Sequence, residues 1–156
     1  MAAHTRKIVG IIAIASMVVA GLTAAGGNAK TTLDQNKETV SAFYKLAFND
    51  HNPAQAIEKY AGKTYTQHNP RAGDGPQAFI DAVTGFAKTN PGLRVDIKRV
   101  IAEGDLVVTH VHIKTSDEDR GVAAIDIFRL DGGKIVEHWD VVQPVPEKPA
   151  NENTMF

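Results

Sequence analysis

The stretch 105–114, DLVVTHVHIK, sets two imidazoles one residue apart in an alternating, β-branched run. Strand side chains at i and i+2 share a face, so His110 and His112 point the same way. Two imidazoles held like that could bind a divalent ion or line a substrate pocket, or be no more than polar residues tolerated in a sheet. A second candidate lies in 121–130, GVAAIDIFRL, where Asp126 stands mid-strand on one face with Ala124, Phe128 and Leu130. A carboxyl among such neighbours must be hydrogen-bonded, paired or held neutral. It is either an edge-strand aspartate meeting solvent or a basic neighbour, or a desolvated acid suited to general acid–base work. The residues alone leave both readings open.

His138, Trp139 and Asp140 follow on the last strand, with Trp139 on the face opposite to the other two. Whether His138 or Trp139 neighbours Asp126 depends on whether the Asp131-Gly132-Gly133 turn has two or three loop residues. In 65–75, YTQHNPRAGDG, His68 could rim a pocket with the loop of Arg71, Gly73 and Asp74, or cap a turn carbonyl. Spacing favours the cap.

The metal option can be checked against spacing. Gly104, five residues, then His110-Val111-His112 resembles the opening of the cupin metal motif. The glutamate of that motif should follow three or four intervening residues later, where Ser116 and Asp117 stand; Glu118 comes one residue late. Cupins are also all-β, whereas the first half of this chain after its leader-like front reads helical. Metal binding through His110 and His112 is therefore the third reading.

These residues need elements to position them. Val40, Phe43, Tyr44 and Ala47 make a one-sided stripe that predicts a helix over 32–49. Asn52-Pro53 starts a short second helix, with Ile57 and Tyr60 inward. A third opens at Asp74-Gly75-Pro76, carries Phe79, Ile80, Val83 and Phe86, and stops before Asn90-Pro91-Gly92. After Gly92 the period becomes two. One hairpin turns at Glu103-Gly104 and a second at Asp131-Gly132-Gly133. With Ala102 paired to Asp105, one face of the first hairpin collects Leu93, Val95, Ile97, Ile101, Leu106, Val108, His110 and His112. The other collects Arg94, Asp96, Lys98, Val107, Thr109 and Val111. The first is the more apolar and is expected to face the helices. The result is an α+β fold, three helices on a curved four-stranded antiparallel meander.

The front and the tail stand apart. Residues 1–29 read as a secretory signal peptide: Arg6 and Lys7, an apolar run from Ile8 to Ala24, then small residues, with cleavage after Ala29 or, alternatively, Ala25. The run is slightly short of the roughly 20 apolar residues of a membrane span, and an uncleaved anchor is the alternative. Export to the periplasm or medium is expected, with no stable membrane association after cleavage. The domain would span 30–143, and 144–156 form a flexible, proline-rich tail. Arg6 and Lys7 are two of only 17 basic residues, so acids, 18 in all, predominate in the rest. With no basic stripe, a nucleic-acid partner is not expected. The chain has no cysteine, hence no disulfide or thiol chemistry.

Taken in order, YTQHNPRAGDG, a Phe/Ile-rich helix, IAEGDLVVTHVHIK and AIDIFRLDGGKIVEHWDVVQ resemble the SnoaL-like polyketide cyclase family, of the nuclear-transport-factor-2-like superfamily. The resemblance runs from about Leu33 to Gln143 and is most specific in DIFR…DGGKIVEHWD. It implies a cone-shaped domain enclosing an apolar pocket and a cofactor-free acid/base reaction of the aldol or isomerase type on a small carbonyl compound. Asp126 falls at the family's pocket aspartate and His112 at its histidine, with His110, His68, Phe128, His138 and Trp139 around the ligand. His112, His68 and the Trp139 indole N–H would be donors to an enolate. A homodimer through the Val107, Thr109 and Val111 side is also implied. The alternative is an exported module that binds a small molecule without transforming it.

Overall fold

The computed structural model describes residues 31–156; the segment read as a signal peptide lies outside the described residues. Helix α1 (Thr32–Tyr44) starts where the Thr31 hydroxyl accepts the Asp34 N–H, and the apolar stripe buries Val40, Phe43 and Tyr44. Its expected continuation to Asn49 is present but wound wider, as a π-helical turn over Lys45–Asn49. Helix α2 (Pro53–Tyr60) is capped by Asn52, whose side chain accepts from Gln55 N, and has proline in its first turn. Helix α3 covers Gly75–Thr89. Among the described residues no helix is long and apolar enough to cross a membrane.

Five strands make one sheet: β1 (Ala61–Gln67), β2 (Arg94–Glu103), β3 (Leu106–Lys114), β4 (Val122–Asp131) and β5 (Lys134–Pro144), in the order β1-β5-β4-β3-β2. The meander β2–β5 is antiparallel, as expected. The sheet is nevertheless mixed, because β1 joins its edge parallel to β5. The short extended stretch near Tyr65 is therefore a full sheet member. Both hairpins have two-residue loops, Gly104-Asp105 and Gly132-Gly133. Gly132 and Gly133 both lie at positive φ, as a type I′ turn requires.

Two bulges decide which side chains face the helices. In β2 the register shifts between Ile97 and Arg99, so Val95 and Ile97 pair with Ile113 and Val111, whereas Ile101 pairs with Val108. An extra residue on one strand reverses the alternation beyond it. The apolar start of β2 thus belongs with Val107, Thr109 and Val111, all fully buried against the helices. The expected face assignment is corrected here: His110 and His112 do share a face, but it is the outer one. Val107, Thr109 and Val111 are core and cannot form a dimer surface. In β5 the shift lies between the pairs Arg129–Glu137 and Leu130–Ile135. It puts Ile135, His138 and Asp140 inside, and Glu137 and Trp139 outside.

The core gathers Val40, Phe43, Ala47, Phe128, Leu130 and Ile135 between α1 and the sheet. The tail from Pro144 onward, expected to be flexible, crosses back to the outer face, where the Phe156 ring lies 4.1 Å from that of His112, centroid to centroid.

Candidate active site

Asp126 is buried on β4, directly across from Asp140 of β5, with His138 two residues before Asp140. Neither simple register expected for the second hairpin applies: His138 faces Phe128, and reaches Asp126 diagonally. Its Nε2 lies 3.1 Å from Asp126 Oδ1. The other ring nitrogen, Nδ1, lies 3.0 Å from Gln67 Oε1. That Gln67 atom also accepts the Asn69 backbone N–H at 2.9 Å, which identifies it as the oxygen. His138 Nδ1 must therefore carry hydrogen and donate. Two acceptors would then face each other across the His138–Asp126 contact unless one proton lies between them. The pair is either imidazolium with carboxylate or imidazole with carboxylic acid, and its net charge is zero in both.

The edge strand β1 supplies the clamp. Gln67 N donates to Asp74 Oδ1 at 2.9 Å, and His68 N to His138 O at the same distance, which fixes the end of β1 against β5 and the start of α3. Asn69 follows on the same side as Gln67. Its Oδ1 accepts from Arg71 N, and its Nδ2 donates to both oxygens of Asp140, each at 2.8 Å. A continuous network thus runs Asp126–His138–Gln67–Asn69–Asp140. Asp126 Oδ2 is buried with no hydrogen-bond partner within 3.5 Å, and the Tyr44 phenol lies close enough to interact with this carboxyl. An orphaned carboxylate oxygen is costly and marks either strain or a missing partner such as a ligand.

These polar groups line a cavity of about 320 Å³ whose other walls are mostly aromatic. Phe79 of α3 is central, with ring centroids 5.2 Å from Phe43, 5.4 Å from Tyr65 and 6.0 Å from Phe48. Phe128 packs on the His138 ring at 4.7 Å. Burial first, and the charge of Asp126 second, push the Tyr44 phenol well above the ordinary tyrosine range. Tyr65 is raised by burial, then by Asp126 and Asp140. Both stay neutral O–H groups beside the acid.

The other candidates sit elsewhere. His112, expected beside Asp126, is on the outer face with Nε2 donating to Arg120 O at 2.8 Å. His110 Nδ1 accepts from the Arg99 guanidinium at 2.8 Å, and its ring lies 5.7 Å from Phe156. Neither lines the cavity, because β3 presents Thr109 and Val111 inward. Trp139 is also outside, its indole stacked on His68 at 4.7 Å with Arg129 over the ring. His68 Nε2 meets Glu137 Oε1 at 2.9 Å, on that same face. Of the expected residues, Asp126, Phe128 and His138 come together at the cavity; His68, His110, His112 and Trp139 do not. A larger outer groove of about 500 Å³ runs past His110, Ile125 and Met155, with His110 as the one titratable group in its lining.

Gln67, Asn69, Asp140, Tyr44 and Tyr65 were missed. The signal for three of them was present: period two in YTQHN puts Tyr65, Gln67 and Asn69 opposite His68. Among the described residues one cluster could hold a metal ion, Asp126, His138 and Asp140, whose ligand atoms lie within 4.8 Å of one another. An ion there would have to displace the proton shared by Asp126 and His138. His110 and His112 belong to no such set among the described residues, and one ring nitrogen of each is already engaged, by the Arg99 guanidinium and the Arg120 carbonyl.

Three helices over a mixed sheet, with an acid–imidazole pair lining an aromatic cavity, define a small α+β pocket domain. The family model described as the SnoaL-like domain matches residues 40–138, and the chain belongs to the SnoaL-like family. No curated protein matches it. Among solved structures it is similar to a protein assigned as a polyketide cyclase from Acidithiobacillus ferrooxidans: 21% identity, TM-score 0.62, covering 72% of this chain and 91% of that one. A second so assigned, from Bacillus cereus, aligns at 20% identity and TM-score 0.61, over 70% of this chain and 74% of its own. AclR from Streptomyces galilaeus, assigned as a hydroxylase, aligns at 16% identity and TM-score 0.61, over 76% and 91%. At such identities the likeness is one of fold, and one fold hosts different chemistries.

Proposed function

We propose that this protein is a cofactor-independent acid/base enzyme that moves a proton next to the carbonyl of a small compound held in the aromatic cavity, in an aldol or isomerase type of reaction. One observation carries the reading: Asp126 keeps one carboxyl oxygen buried and unpartnered while the other is held by His138. In the carboxylate–imidazolium arrangement, Asp126 Oδ2 accepts the proton from carbon. The positive charge left on the pair balances the enolate, and Oδ2 later returns the proton. Tyr44, kept neutral by its surroundings, replaces His112, His68 and Trp139 as donor to the enolate oxygen. Phe43, Phe79 and Phe128 exclude water. Membership of the SnoaL-like family and the cyclase assignments of similar structures support the same reading.

The test is proton exchange from D2O into a panel of small ketones, followed by NMR. Wild type should accelerate exchange, and Asp126→Asn should lose about 10²- to 10⁴-fold of that acceleration. A variant that exchanges as fast as wild type sinks the proposal. The second reading, a module that binds without transforming, rests on the same aromatic cavity, since fold alone does not carry chemistry. It wins if wild type binds ketones and exchanges none.

The proposal includes export, supported by the basic, apolar, small-residue front of the chain. It also includes a homodimer, now through the outer sheet face, where Ile101, Ile125 and Val141 stay exposed. Light scattering on the purified domain decides the latter.

A further inference from the structure

The polar end of the cavity holds more acid than its surroundings neutralise. Asp126 and Asp140 stand directly opposite each other on β4 and β5 and line the same space. Like charges so placed oppose the pairing of their strands, and among the described residues no lysine or arginine lines the cavity. The proton shared by Asp126 and His138 cancels one of the two charges. Asp140 is met by the Asn69 amide, which is a dipole and not a counter-charge.

The three side chains are held as metal ligands are held. Donor atoms of Asp126, His138 and Asp140 lie within 4.8 Å of one another, and Asp126 Oδ1 is 3.1 Å from His138 Nε2. Donors about 2.0–2.2 Å from a shared zinc ion lie roughly 3–4 Å apart, so small side-chain rotations close the set. His138 gives its Nδ1 hydrogen to Gln67 Oε1, which leaves the Nε2 lone pair for an ion. Ligating imidazoles are fixed in this way, by an acceptor on the far nitrogen. Asn69 orients Asp140 in the same sense. Independently, Asp126 is 6% exposed, lines the cavity and keeps Oδ2 without a hydrogen-bond partner within 3.5 Å.

We infer that Asp126, His138 and Asp140 bind one divalent transition ion of the zinc type, and that this ion and the shared proton exclude each other. Two carboxylates, a neutral imidazole and a doubly charged cation sum to zero, which the proton alone does not achieve. The imidazole selects zinc-like ions over magnesium, which prefers oxygen and keeps its water. Three protein ligands leave a further position open to the cavity. The site stands on its own geometry. Its consequence rests on the acid/base reading above: the metal-bound form is silent, because the ion occupies the lone pairs that would take a proton from carbon.

The experiment is calorimetric titration of the purified protein, free of any histidine tag, with zinc chloride and with magnesium chloride. Wild type should take one zinc per chain, at least about tenfold tighter than magnesium. Asp126→Asn and Asp140→Asn, which keep side-chain shape, should each weaken zinc at least about tenfold, and His138→Phe should abolish its binding. Gln67→Leu leaves all three ligands in place and should weaken zinc about 10- to 100-fold. His110→Asn combined with His112→Asn should bind as wild type does. Thermal melts show that each variant is folded, and zinc should raise the midpoint only where it binds. The inference is overturned if wild type binds no zinc, if both aspartate variants bind it as wild type does, or if the outer histidine variant loses it. Proton exchange into a small ketone is read with and without zinc. Zinc bound at this site with exchange undiminished overturns the mutual exclusion. A wild type that binds zinc but exchanges no ketone in either condition defeats the acid/base reading and leaves the ion site standing.

Discussion

The two faces of the sheet carry the same kinds of residue in different circumstances. Inside, His138 of β5 meets Asp126 at 3.1 Å, both buried, with Gln67 fixing the tautomer. Outside, His110 and His112 of β3 lie over Phe156, one taking a hydrogen bond from Arg99 and the other giving one to Arg120. The outer pair has the more suggestive spacing in the sequence. The inner pair has what chemistry needs, a desolvated carboxyl whose second oxygen has no partner. Density of histidine is a poor guide; burial with incomplete hydrogen bonding is a better one.

The contrast can be broken or sharpened by experiment. The largest difference should be in rate. Asp126→Asn or His138→Phe should remove about 10²- to 10⁴-fold of proton exchange, while His112→Asn leaves it within about twofold; equal losses on both faces would dissolve the distinction. In stability, Phe128→Ala should cost about 3–5 kcal/mol by chemical denaturation, because a ring 1% exposed leaves a cavity behind. Ile101→Ala, at 62% exposure outside, should stay within about 0.5 kcal/mol. Alkaline titration separates the faces again. Tyr44 and Tyr65 have folded values raised above 10, so their contribution is intact below pH 10 and lost as pH climbs beyond it. Ultraviolet absorbance should show these two of the three tyrosines ionising only as the chain unfolds. Removing the outer ring, Phe156→Ala, should cost about 0.5–1 kcal/mol and leave exchange unchanged.

The smallest effect is local and acidic. Asp119 accepts from Thr115 N, Thr115 Oγ1 and Gly121 N, and these bonds hold its carboxyl down at about 2. Its folded value is depressed, so the stability it gives the 115–121 loop is full above about pH 4 and is lost as pH falls through about 2. Carboxyl-detected NMR should find that midpoint for Asp119, and Asp119→Asn should loosen the loop at neutral pH.

How much of this was legible depended on whether a feature is local. The α1 stripe and the Gly132-Gly133 turn follow from short-range pattern and stand where expected, while the first turn falls one residue later than expected, at Gly104-Asp105 with Glu103 paired to Leu106. Asp126 with Phe128, and His138 with Asp140, share faces because nothing interrupts their alternation. The pocket partner of Asp126 was assigned to the wrong strand: one extra residue at Lys98 puts Val95 and Ile97 on the inner face with Val107 and Val111, leaving His112 outside, and one at Val136 turns His138 inward. Neither bulge is marked by glycine or proline. The place of β1 was hidden for another reason: nothing in AGKTYTQ states that it will lie parallel to a strand far along the chain.

That last feature bears on how the molecule comes into being. The hairpins of β2–β5 join neighbours in sequence, but Gln67 must find His138 across 71 residues. Closing so long a loop is an entropic expense that short hairpins avoid. A nascent chain with four strands zipped and β1 still undocked has His138 free to place its hydrogen on either nitrogen. The fixed tautomer that the proposed reaction requires therefore hangs on the docking of β1, the longest-range strand pairing in the sheet.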